Sequence, residues 1–280
     1  MVGRGALLVL GSVVSVQVGQ AIGKHLFADA GALGTVALRL GIAAIVLLGW
    51  HRPALPSTRK EFALVAAFGA AIAGMNLIYP ALTTLPLGVA TTLQLLGPIL
   101  LALLTSRGLA EVGAAGFAGF GVWLFHGPGG GAPFAGIAFA LASGASMAAY
   151  LLLSRTAGRR SETALTLSLA VAFAAILWLP AGIAQSGAAL LAPEVLLVGA
   201  LVAVLSAVVP YSLDLAALRR IPPRTVGVLE SLEPAVGAIA GLVVLSEVLS
   251  APQWVAITCV CTAGVVAVTG SREARSRSAA

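Results

Sequence analysis

Residues 229–234 read LESLEP, and they place Glu230 and Glu233 in a stretch otherwise built of Val, Leu, Ala and Gly. Three positions apart, the two carboxylates share one face of a helix. Two carboxylates that close in a medium of low dielectric cannot both stay ionised, so the pair is expected to hold a proton near neutral pH. A group that binds and releases a proton can couple solute movement to a proton gradient. Other polar groups sit in equally apolar surroundings. Arg39 lies in LRLGIAAIVLLGW and Gln94 in LQLLGP. An Arg39–Glu233 ion pair is geometrically possible and would lower the cost of burying either charge. Gln17, Gln20 and Lys24 recur at i, i+3 and i+7 on one helical face, where they either line a pathway or hold helices together. Lys24 can reach outward to the membrane surface. Tyr150 is either a cavity wall or an interfacial anchor. Asp214 stands beside Arg219 and Arg220, where an interfacial salt bridge is expected ahead of a proton relay. Glu247 is expected to contact a loop at the end of its helix.

The elements that must carry these groups are membrane helices. Of 280 residues, 59% are hydrophobic and 9% charged, whereas soluble domains carry about 25% charged residues. Crossing a bilayer takes roughly 20 mostly apolar residues. Ten stretches fit, at 5–23, 31–50, 61–82, 87–105, 109–125, 133–153, 163–182, 194–214, 225–246 and 252–270. Short breaks such as HRPALPSTRK, HGPGGGAP and RRIPPR separate some of them. With the N-terminus inside, fourteen of the 16 Lys and Arg residues fall on the cytoplasmic side, leaving Lys24 and Arg39. This bias predicts both termini in the cytoplasm. It also accounts for the net charge of +6 as topology, so nucleic acid is not an expected partner. Arg4 followed by ALLVLGSVVSVQVGQA looks like a signal peptide, but cleavage would break the charge alternation, so the first span is expected to be retained. Cys259 and Cys261, two apart, suit neither a disulfide nor a zinc site and are expected to pack as small apolar residues. The tail 271–280 is expected to be disordered.

The ten spans divide into two fives. LPLGVATTLQLLGP (85–98) matches IPPRTVGVLESLEP (221–234) in its proline spacing, with Gln94 opposite Glu230. A fainter echo pairs Ser12 and Ser15 with Ser143 and Ser146. Five spans per half force the halves to run oppositely through the membrane, the inverted arrangement of secondary transporters. Residues 1–130 and 131–270 are the expected repeats. Pro98 and Pro234 each deprive the carbonyl four residues back of its helical donor. Spans 4 and 9 are therefore expected to be kinked helices lining a polar cavity at mid-membrane, where freed carbonyls meet protein or water. Gly237 and Gly241 form a close-packing face. Motifs of metalloproteases, serine hydrolases and phosphate-binding loops are absent, so neither an enzyme nor a nucleotide-driven pump is expected, and no cofactor is implied.

Several runs carry a family resemblance: SVQVGQAIGKHLF (15–27), LRLGIAAIVLL (38–48), PLGVATTLQLLGPILLALLTSR (86–107), SGASMAAYLLLSRTAG (143–158) and VVPYSLDLAALRRIPPRTVGVLESLEPAVGAIAGLVVLSE (208–247). The chain resembles the ten-helix drug/metabolite transporter superfamily with two EamA-type repeats, and within it the inner-membrane threonine/homoserine exporters. The resemblance implies proton-driven export of small amino acids from a bacterial cytoplasm. It also implies a central cavity that includes Arg39, Tyr211, Asp214, Arg224, Thr225, Glu233 and Glu247. Two positions depart from the family pattern, which usually has a carboxylate at Gln94 and an apolar residue at Glu230. The expected function is therefore proton-coupled export of threonine-like amino acids by alternating access. Efflux of another small metabolite, drug or nucleobase by the same fold is the alternative, and a scaffold that transports nothing is disfavoured. A homodimer is permitted by the small-residue faces.

Overall fold

In a bilayer the backbone must satisfy its own hydrogen bonds, and this chain does so with helices. A computed structural model describes residues 2–105, 109–124, 133–157 and 164–277. The helices are α1 (Val2–His25), α2 (Phe27–His51), α3 (Arg59–Met75), α4 (Ile78–Leu82), α5 (Leu87–Thr105), α6 (Leu109–Leu124) and α7 (Phe134–Ala157). They continue as α8 (Ala164–Ser186), α9 (Pro193–Ala203), α10 (Val209–Leu218), α11 (Pro223–Glu230), α12 (Glu233–Leu245) and α13 (Ala251–Arg277). No strand occurs among the described residues.

Eight stretches are long and apolar enough to cross a membrane: Gly3–His25, Phe27–His51, Arg59–Leu82, Phe134–Ser154, Leu165–Leu191, Pro193–Leu218, Thr225–Leu245 and Ala251–Val268. They coincide with eight of the ten expected spans. For the other two, the apolar run in α5 is the shorter Leu87–Ala102, and α6 has 16 residues. At 1.5 Å per residue, 16 residues rise only about 24 Å. The expected loop HGPGGGAP lies almost wholly outside the described residues. The tail expectation is corrected in part, because α13 continues to Arg277. The run SREARSR is rich in Arg, Glu and Ala, all good helix formers.

Local chemistry explains several helix ends. Thr58 and Glu61 form a capping box at the start of α3, each side chain bonding the other's backbone N–H. Gly31 adopts φ 60°, a conformation that favours glycine, and breaks α2 near its start. The Gln185 side chain then accepts from the N–H groups of Leu33 and Gly34 at 2.8 and 3.3 Å, capping the main body of α2. Pro193 and Pro223 occupy the first turns of α9 and α11, where a missing N–H costs nothing.

Packing places α2 along α8, α5 along α7, α1 between α10 and α12, and α13 against α6 and α5. Ile45, Trp50, Ile176, Leu197 and Val243 face outward, as lipid contact requires. Cys259 and Cys261 are free and buried among apolar neighbours, as expected. The main apolar core gathers Leu40, Ile72, Tyr79, Leu82, Leu85 and Leu87. Its Leu85 and Leu87 lie at the end of the bundle that carries Lys24 and Glu247.

Candidate functional site

One large cavity, of about 1630 Å³, runs from mid-bundle toward the end opposite Lys24 and Glu247. Gln20 and Tyr79 bound it at one level; Ala102, Ser154, Thr166, Leu218 and Pro222 line it at the other. Of the residues singled out from the sequence, Gln17, Arg39, Gln94, Pro98, Tyr150, Tyr211, Asp214, Glu230 and Glu233 all line it. Thr225 does so too. The side chain of Arg224 lies outside what the structure describes. Lys24 and Glu247 stand beyond the cavity. Pro234 is buried behind Glu233.

The acidic wall is built by a helix break. α11 ends at Glu230, Ser231 and Leu232 form a turn, and α12 begins at Glu233 with Pro234 in its first turn. The Ser231 hydroxyl bonds back to the Gly227 carbonyl at 2.8 Å, and the Leu232 N–H reaches the Leu229 carbonyl at 3.1 Å, tightening the last turn. The break lets both carboxylates face the cavity. Asp214 lies within electrostatic reach of both glutamates. Its Oδ1 has no hydrogen-bond partner, and no ion pair joins it to Arg219 or Arg220. The expected interfacial salt bridge is thus corrected: Arg220 instead donates to the Ala216 carbonyl of its own helix at 2.9 Å.

The opposing element, α5, differs from this wall: Pro98 sits inside an uninterrupted helix. The carbonyl of Gln94, which Pro98 leaves without its helical donor, lies directly against Gly144 of α7, where even a methyl group would collide. Gly97 is likewise in backbone contact with Gly144. The Gln94 side chain donates to Ser143 Oγ at 2.7 Å, and Ser143 donates to the Met75 carbonyl at 2.6 Å. Close packing and satisfied polar groups keep α5 continuous.

The basic group takes a partner set that the sequence reading missed. Arg39 is 6% exposed and does not pair with Glu233. Its Nε donates to Ser206 Oγ at 2.6 Å, its Nη2 to the Ser206 carbonyl at 2.5 Å, and its Nη1 to Asn76 Oδ1. Its guanidinium lies 5.5 Å from the centroid of the Tyr79 ring, a cation–π contact. The Ser206 carbonyl is available because Pro210, four residues on, has no N–H to give it. The chain there widens into a π-turn at Val204–Val208, a feature common at functional sites. Ser15 takes the Leu205 carbonyl of the same turn at 2.6 Å, and Gly19 of α1 lets the backbones approach. Asn76 and Ser206 are therefore additions to the expected site. Tyr79 is fully buried and forms part of the cavity wall. A signal for Ser206 was present: the four-residue rule applied to Pro98 and Pro234 applies equally to Pro210.

The remaining groups fall as follows. Tyr150 is a cavity wall, held edge-on against Phe68 with ring centroids 5.3 Å apart. The Tyr211 hydroxyl lies within hydrogen-bonding reach of Arg39 and within electrostatic reach of Asp214. Gln17 and Gln20 are buried with Oε1 atoms that lack partners, so they line the cavity rather than bond neighbouring helices through those oxygens. Lys24 does not reach out to the surface. Its Nζ pairs with Glu247 Oε1 at 2.7 Å and donates to the Leu85 carbonyl at 2.9 Å. Glu247 Oε2 accepts the Leu87 N–H at 2.8 Å, and Gly241 leaves room for that carboxylate.

Comparison with known proteins follows this geometry. A family model described as the EamA-like transporter family matches residues 134–269. The threonine/homoserine exporter RhtA of Salmonella typhimurium (strain LT2) is 36% identical over 264 residues, covering 92% of this chain and 89% of the relative. RhtA of Escherichia coli (strain K12) is 35% identical with the same coverage. A crystal structure 17% identical in sequence superposes with a TM-score of 0.63 over 96% of this chain and 98% of the other, and shows likeness of fold alone. The chain belongs to the EamA-like transporters of the drug/metabolite transporter superfamily, in the family of the RhtA exporters.

Proposed function

We propose that this protein exports small amino acids resembling threonine or homoserine across the bacterial inner membrane, by alternating access driven by the proton gradient. The observation that carries the reading is a single cavity with a buried guanidinium on one wall and three carboxylates on another. Such a cavity suits a zwitterion, and the carboxylates suit a proton. The printed activity of the RhtA relatives supports the substrate class.

Two matched contacts support the inverted repeat of 1–130 and 131–270. Ser12 donates to the Pro210 carbonyl in the first turn of α10, and its counterpart Ser143 donates to the Met75 carbonyl at the end of α3. The second is shorter, at 2.6 against 3.4 Å. Alternating access is supported by the contrast between the bundle ends. At one end Lys24, Glu247, Leu85 and Leu87 are joined by an ion pair and two backbone bonds. Toward the other the cavity extends to Ala102, Ser154, Leu218 and Pro222. With both termini in the cytoplasm, this is an inward-facing state whose outer side is latched.

Labelled threonine and homoserine in proteoliposomes under an imposed pH gradient test the reading. Movement of either, accelerated by the gradient, is expected. No movement of any small amino acid overturns the substrate class, and movement indifferent to pH overturns the coupling.

A further inference from the structure

A guanidinium has five N–H donors. Arg39 commits three of them to Ser206 and Asn76, all neutral acceptors, and the hydroxyl of Tyr211, which lines the same cavity, lies within hydrogen-bonding reach of the guanidinium. No carboxylate among the described residues pairs with it. A cation at membrane depth held only by neutral groups carries a large desolvation cost. Yet its position is closely fixed: Asn76 comes from the end of α3, Ser206 from the π-turn, and the Tyr79 ring covers it. Asn76 is itself held, donating to the Ile72 carbonyl at 2.8 Å. A rigid planar cation that faces a cavity, and whose only partners are neutral, matches a carboxylate, which can accept from the guanidinium and from the Tyr211 hydroxyl beside it.

Resting on the transport reading above, we propose that Arg39 is the residue that binds the carboxylate of the substrate. The α-ammonium then faces the acidic side of the cavity, whose nearest carboxylate to the guanidinium is that of Asp214 beside Tyr211, so the cavity reads both charges of a zwitterion. Asn76 and Ser206 are positioning residues, acting through the guanidinium. Substrates lacking a free carboxylate are disfavoured because the buried guanidinium would be left without a counter-charge.

The test is competition against labelled threonine in counterflow with the full-length protein in liposomes. Homoserine is expected to compete, whereas threoninamide, threonine methyl ester and threoninol compete roughly a hundred-fold more weakly. Competition by these within a few-fold of homoserine overturns the assignment while leaving export intact. Absence of threonine movement in the unmodified protein instead overturns the transport reading. An Arg39→Lys variant keeps the charge and loses the fork. It is expected to raise KM for threonine about ten-fold or more and to narrow the preference for free acid over amide. A lowered melting temperature with that preference unchanged would mark Arg39 as structural and overturn the proposal.

Discussion

Helix α5 runs unbroken through LQLLGP, whereas at LESLEP α11 stops at Glu230 and α12 starts afresh at Glu233. The two segments share proline spacing and the same proline-freed carbonyl, at Gln94 and at Glu230. What differs is the environment of that carbonyl and of the residue before the proline. In α5 the residue is Gly97, and the crossing helix offers Gly144, so backbone meets backbone and the helix stays continuous. In the second segment the corresponding residue is Glu233, which cannot pack that way. Ser231, opposite Leu95, adds a hydroxyl that turns back onto the preceding turn. A proline in a membrane helix thus permits a break, and its neighbours decide whether one forms.

The largest expected effect separates the two walls chemically. The double substitution Glu230→Gln with Glu233→Gln is expected to reduce pH-driven threonine efflux to the protein-free background, while Gln94→Leu lowers the rate and preserves the pH dependence. Efflux assays in proteoliposomes at several gradients measure both. If Gln94→Glu restores pH dependence to Glu230→Gln, the two positions are interchangeable across the repeat.

Next comes packing. Gly97→Val drives a branched side chain into the backbone of α7 and is expected to cost about 3 kcal/mol or more, read as loss of folded protein in detergent. Glu233→Ala, at the matching position, is expected to leave thermal stability nearly unchanged.

The prolines sharpen the comparison further. Pro98→Ala restores one hydrogen bond in a continuous helix and is expected to stabilise by about 1 kcal/mol with transport retained. Pro234→Ala leaves stability within a few tenths of a kcal/mol, but allows α11 and α12 to merge and is expected to lower transport. Equal transport from the two variants would remove the distinction. The smallest effect is that of Ser231→Ala, which deletes one hydrogen bond and is expected to lower the melting temperature by about 2 °C.

Much of this was readable in the sequence. The spans, the proline pair, and the mid-membrane positions of Arg39, Gln94, Glu230 and Glu233 follow from hydropathy and spacing, and the structure gathers these groups on one cavity. The partners of Arg39 were not readable, because Asn76 and Ser206 are brought to it from 37 and 167 residues away. The Lys24–Glu247 pair spans 223 residues and depends on how α1 meets the end of α12. The outcome at Pro98 also depended on distant chain, since Gly144 on α7 decides it. Local pattern identifies which groups need a partner; tertiary packing selects the partner.

The contact of Gly97 with Gly144 has a mechanical consequence. Two backbones in direct touch form a stiff crossing with no side chains to rearrange, so α5 and α7 behave as an axle. Under the proposed alternating access, the flexing falls to the elements around α1, where the π-turn and the α11–α12 turn already interrupt regular helix. A spin-label pair across the α5–α7 crossing should keep its distance through the cycle, while a pair joining α1 to α12 near Lys24 and Glu247 should lengthen.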